Sequence, residues 1–131
     1  MGFAISQLTT MMVQNVQSDC EYQLTQIMNT LQSLSMKQQS IVEEQMQAGQ
    51  IYMEQHKDED GAVDQSAIEY VNSSAFNAKY NAMLQQIQVK EQALDIQKQQ
   101  IETKQKMYSS QVDGWEKNTT SNIEKTFKYG N

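Results

Sequence analysis

The sequence predicts an all-α protein: two long antiparallel helices folded into a coiled-coil hairpin and packed into a larger helical assembly. Three observations predict it. The 131 residues contain no Pro, 22 Gln and nine Met. The chain thus lacks the strongest helix breaker and is rich in unbranched residues that keep most of their rotamer freedom in a helix. Apolar residues recur every seven positions in each half, the signature of a helix with one buried seam. Between the halves lies one concentrated turn signal, KDEDGAVD.

The first helix is expected over about residues 3–55. Its seam is Val13, Cys20, Ile27, Leu34, Ile41 and Ala48, with Leu24 and Leu31 at the intervening position. An acidic turn follows over about 56–64, where Gly61 permits positive φ and Asp58, Asp60 and Asp64 offer side chains to nearby backbone. Asp64 or Ser66 then caps a second helix over about 65–125, with Glu69 three residues after Ser66 in capping-box spacing. Each helix would be roughly 75–90 Å long at 1.5 Å per residue. The second seam is Tyr80, Ile87, Leu94, Ile101, Tyr108 and Trp115, joined by Leu84 and Val112. Its intervening position is otherwise polar, at Glu91, Lys98, Gln105 and Thr119. Asn72-Ser73-Ser74 is the weakest part of this helix, and a break there would leave a short helix near 65–71 ahead of the long one. A short tail ends the chain, which reads as one domain over 1–131.

Folding the chain at Asp60/Gly61 sets Ile41 opposite Tyr80, Leu34 opposite Ile87, Ile27 opposite Leu94, Cys20 opposite Ile101 and Val13 opposite Tyr108. The fold line falls on the best turn in the chain, which favours a hairpin.

A lone hairpin would carry charge on its outer sides. Here those sides carry Met11, Met12, Val16, Met28, Met36, Val42, Met46, Met53, Phe76, Met83, Val89, Ile96, Met107, Ile123 and Phe127. One reading puts these in an irregular intramolecular core. The other makes them contact surfaces for neighbouring subunits, since Met repacks readily against varied partners. Abundant Gln, Asn, Ser and Thr at low charge density favour the second, and a homo-oligomer is expected. Its candidate contacts are Phe3, Ile5, Leu8, Met12, Val16, Met28, Met46, Ile96, Met107, Ile123 and Phe127. At the tail, Trp115, Ile123 and Phe127 with Lys117, Lys125 and Lys128 would meet the uncharged opening segment, and Gly114 would loosen the helix just before them.

The net charge of −6 is unevenly spread. Residues 1–65 hold nine acids and two bases, whereas residues 66–131 hold seven acids and eight bases. This asymmetry favours packing of the halves against each other, within one chain or between chains. Nucleic acid is not expected as a partner, since phosphate binding needs a basic face. Cys20 is the only cysteine, so an internal disulfide is excluded; on the apolar seam it reads as a buried, inert thiol.

Eighteen residues precede the first charged side chain, Asp19, yet no apolar run is long enough to span a membrane. The opening has neither the basic start nor the small-residue site of a cleaved signal peptide. Gly2 and Ser6 match myristoylation spacing, but the bulky Phe3 beside the glycine does not suit it.

Sites of chemistry are sparse. His56, the single histidine, reads as a loop residue. His56, Asp58, Asp60, Gly61 and Asp64 loosely follow a calcium loop, but position twelve is Ala67 where a bidentate Glu is needed. Catalytic residues, cofactor sites and metal ligands are therefore expected to be none, and enzymatic activity is not expected.

The uncharged start MGFAISQLTTMMVQNVQ, the paired terminal helices and the mid-chain turn KDEDGAVD together resemble the small filament and needle subunits exported by type III and flagellar-type secretion systems. The resemblance is architectural. Needle subunits are usually shorter and carry a Pro-containing turn, which this chain lacks. The Trp-x-Gly turn of small WXG-type secreted hairpins is also missing, as is the strand pattern of prefoldin-type chaperones. The likeness implies an exported bacterial structural protein, secreted or cell-surface without a cleaved signal, with secretion machinery or an export chaperone as partner. The alternative is a cytoplasmic coiled-coil adaptor or chaperone binding a partner helix through its Met-rich surface.

Overall fold

In the computed structural model, the described backbone covers residues 2–129, and side chains are described except at 1–3, 5, 6, 115, 116 and 118–131. The fold is an all-α helical hairpin of three helices: α1 (Gly2–Gln55), α2 (Gln65–Val71) and α3 (Ser74–Tyr129). Packing divides the chain into two compact units, Asn29–Leu94 and Met1–Met28 with Asp95–Asn131.

The unit Asn29–Leu94 contains the turn. Asp58-Glu59-Asp60-Gly61 is a tight turn, closed by the Gly61 N–H donating to the Asp58 carbonyl (3.0 Å), with Gly61 at φ 83°. The Asp58 N–H donates to the Ala62 carbonyl (2.8 Å), and Lys57 and Val63 form an isolated antiparallel bridge. This is a type I turn closed by a left-handed residue, with Asp first and Gly fourth as that turn prefers. The Asp58 carboxylate accepts the N–H groups of Asp60 (3.0 Å) and Ala62 (2.9 Å). A Cβ at Gly61 would meet nothing within 4 Å, so the demand for glycine is purely conformational. Gly61→Ala is therefore expected to cost about 1–2 kcal/mol in urea unfolding, and Gly61→Asn distinctly less, because Asn tolerates positive φ.

The expected second helix is divided in two. Asp64 caps α2 by accepting the Ser66 N–H (3.3 Å), so Ser66 lies inside the helix and the Ser66–Glu69 capping box does not form. At the break, the Asn72 side chain donates back to the Ile68 carbonyl (3.0 Å), and the Ser73 hydroxyl accepts the Phe76 N–H (3.3 Å) as cap of α3. The Asn77 amide donates to the carbonyl of Val71 (3.0 Å), a group the break leaves open, and to that of Ser73 (2.9 Å), which also accepts the Asn77 N–H (3.2 Å). Short polar side chains thus outcompete the helical ladder for its own backbone partners. The Asn77 amide oxygen also accepts a hydrogen bond from Gln45, tying the start of α3 to α1. α2 lies close against α1 at Gly49, where a Cβ would stand 3.0 Å from a Val71 methyl.

The core of this unit is small. Ile41, Tyr80 and Ile87 are buried together, with Leu34, Ala48, Phe76, Met83 and Leu84 packed against them. Toward the turn, an aromatic ladder continues it: Phe76 lies 6.1 Å from Tyr80 and 5.6 Å from Tyr70, Tyr70 lies 4.7 Å from Tyr52, and Tyr52 stacks on His56 at 4.0 Å.

In the unit formed by the chain ends, Val13, Cys20 and Ile27 are buried and Leu24 half-buried on α1. On α3, Ile101, Tyr108 and Val112 are half-buried, as are Lys98 and Gln105 between them. Long polar side chains can cover a seam with their stems while the polar ends reach water. Thr25 and Thr103 each donate their hydroxyl to the carbonyl four residues earlier, which accommodates them within a helix. α3 runs through Gly114 without the loosening expected there, and continues beyond Lys125. With Cys20 only 2% exposed, its thiol is expected to resist a water-soluble disulfide reagent in the native protein and to react at once in urea. Rapid labelling without denaturant would show that this unit is not packed.

Candidate assembly surface

The seam residues separate into two groups. Val13, Cys20, Ile27, Ile41, Tyr80 and Ile87 are buried. Leu24, Leu31, Leu34, Leu84, Leu94, Ile101, Tyr108 and Val112 are half-buried. Among the described residues only one other apolar side chain is buried, Ala67 of α2. The side chain of Trp115 lies outside the described residues.

The outer positions are open. Leu8, Met12, Met28, Met46, Ile96 and Met107 are between 52% and 63% exposed. Val16 is half-buried, and the side chains of Phe3, Ile5, Ile123 and Phe127 lie outside the described residues. Met11, Met36, Val42 and Val89 share the exposed class. Most methionines therefore do not fill an irregular core here: among the described residues of the outer set, Val16, Met53, Phe76 and Met83 are drawn partly inward, Phe76 and Met83 onto the core cluster. Sequence reasoning missed Tyr22, Ile51 and Tyr70, which are also exposed. The signal was available for Tyr22, since Leu8, Tyr22 and Met36 are spaced by fourteen and so share one helix face.

Charge is sparse on these faces. Among residues 1–42 only Asp19, Glu21 and Lys37 are charged. Among the described residues the one ion pair is Glu54 with Lys57 (3.0 Å), and none joins α1 to α3. The charge asymmetry between the halves is thus not used within the chain there.

The turn is occupied with its own backbone. Asp58 serves the turn and Asp64 caps α2, and among the described residues no group of three His, Cys, Asp or Glu side chains is placed to hold a metal ion. His56 is more than a solvated loop residue: its Nδ1 lies 2.7 Å from the Tyr52 carbonyl, at the carboxyl end of α1. No described helix is long and apolar enough to cross a membrane. Comparisons with protein-family models, curated proteins and solved structures give no match to this chain.

Proposed function

We propose that this protein is a non-enzymatic structural subunit that self-assembles through its helices, exported from a bacterial cell. The observation that carries the reading is the imbalance of apolar positions: among the described residues, thirteen large apolar side chains are exposed where seven apolar residues are buried. Such a surface gains free energy when a second apolar surface covers it, at about 25 cal/mol per Å². The scarcity of charge among residues 1–42 removes the self-repulsion that keeps ordinary surface helices apart. Export rests on the uncharged first eighteen residues and on the architectural likeness to secreted filament subunits.

Sedimentation velocity and negative-stain microscopy test the reading directly. Concentrated protein in physiological salt is expected to form large species, seen as filaments or tubes. A clean monomer at high concentration would overturn it. The adaptor reading draws on the same open methionines, Met11, Met12, Met28, Met36, Met46 and Met107, which would receive a partner helix. Small discrete particles, and no secretion of the intact chain by its native cell, would favour that reading instead.

A further inference from the structure

Resting on the self-assembly reading, we infer that copies of this chain join head to tail, α1 of one copy against α3 of the next, through the outer faces of the unit Asn29–Leu94. On α1 this face presents Met36, with Val42 and Met46 on the adjoining flank. On α3 it presents Val89, 58% exposed, beside a shallow depression lined by Ala82, Gln85, Gln86, Val89 and Lys90. Met36 and Val89 are both open, while the Lys79 ammonium lies over the Tyr80 ring, 5.8 Å from its centre.

Charge selects the pairing. From 29 to 55, α1 carries Glu43, Glu44 and Glu54 against Lys37, and Glu54 is taken by Lys57. From 74 to 94, α3 carries Lys79 and Lys90, while Glu91 is half-buried on the seam. Lys79 and Lys90 are eleven residues apart, so they project from the same flank of the helix. Pairing α1 with α1 puts the Glu43–Glu44 carboxylates in one patch with their copies. Pairing α3 with α3 does the same with the lysines. α1 against α3 sets Glu43 and Glu44 together with Lys79 and Lys90 around the apolar strip, whereas α1 against α1 offers these carboxylates only Lys37, and like-charge contacts are the usual means by which wrong pairings are suppressed.

Geometry makes the contact propagate. Within this unit, Ile41, Tyr80 and Ile87 pack between α1 and α3, so the outer faces of the two helices point away from each other. One neighbour on α1 therefore leaves α3 open, and a contact between two different surfaces grows into a chain unless its rotation closes a ring.

The test uses two full-length variants, Glu43→Lys/Glu44→Lys and Lys79→Glu/Lys90→Glu, all at exposed positions. Far-UV circular dichroism should show both as helical as the unaltered chain. Each alone is expected to need at least about tenfold more protein to assemble, because α1 and α3 then repel. An equimolar mixture is expected to recover assembly, since each variant's altered face complements the other's. Variants that assemble like the unaltered chain would overturn the head-to-tail contact, as would a mixture that recovers nothing. An unaltered chain that stops at a dimer would overturn it too, while leaving self-association in place. An unaltered chain that stays monomeric would instead overturn the self-assembly reading itself.

Discussion

Replacing Ile41 with alanine is expected to destabilise the protein by about 2–5 kcal/mol, the usual cost of removing a large aliphatic side chain from a packed interior. Ile41 is 4% exposed and shares its cluster with two other buried residues, Tyr80 and Ile87. Neighbours could relax into the space, and Met83 has the flexibility to do so, which sets the lower end of the range. The upper end applies if Leu34 and Leu84 hold their places. Small domains are stable by only about 5–15 kcal/mol, so the change removes a large share of the total. Urea unfolding followed by far-UV circular dichroism, at a concentration below assembly, measures it. Val42→Ala serves as the control, because Val42 is the next residue on α1 and is 39% exposed. Its effect should be several times smaller. Equal effects would mean that the seam does not run through Ile41.

Replacing Met36 and Met46 with glutamine is expected to separate assembly from folding. Both side chains are at least 60% exposed, and glutamine keeps their length and helix propensity. Folding stability should therefore change by less than about 0.5 kcal/mol, as for ordinary surface substitutions. Assembly should respond strongly. Loss of apolar cover at two methionines amounts to about 2–3 kcal/mol per contact, or roughly a 30- to 150-fold weaker association. The concentration at which large species appear in sedimentation measures the second effect, and thermal melting of dilute protein measures the first. A variant that unfolds would place these methionines in a core. One that assembles unchanged would remove this face of α1 from the contact.

Several features are legible in the order of residues because their causes are local. The absence of Pro and the seven-residue spacing of Val13, Cys20, Ile27 and Ile41 place them on one side of a helix whatever surrounds it. The run Asp58-Glu59-Asp60-Gly61 selects its own turn, since each hydrogen bond that closes it lies within five residues. The break after Val71 is marked in advance by Asn72-Ser73-Ser74, residues whose side chains compete for helical backbone.

Other features depend on partners distant in sequence. Asp64 rather than Ser66 caps α2 because the bridge between Lys57 and Val63 delivers the chain to the helix at Asp64. Gly49 reads as an ordinary weak helix residue until Val71 is placed against it. Phe76 and Met83, by contrast, lie four residues before and three after Tyr80, on its side of the helix, and join the cluster of Ile41 and Tyr80 as that spacing dictates.

Local spacing and turn chemistry thus determined that the chain forms long helices, where it reverses, and which side of each helix is apolar. Tertiary structure alone decided which of those apolar side chains are covered and which remain open, among them Met36 and Val89. Periodicity assigns a residue to a face of its own helix, whereas burial belongs to a pair of surfaces and exists only once the second surface is in place.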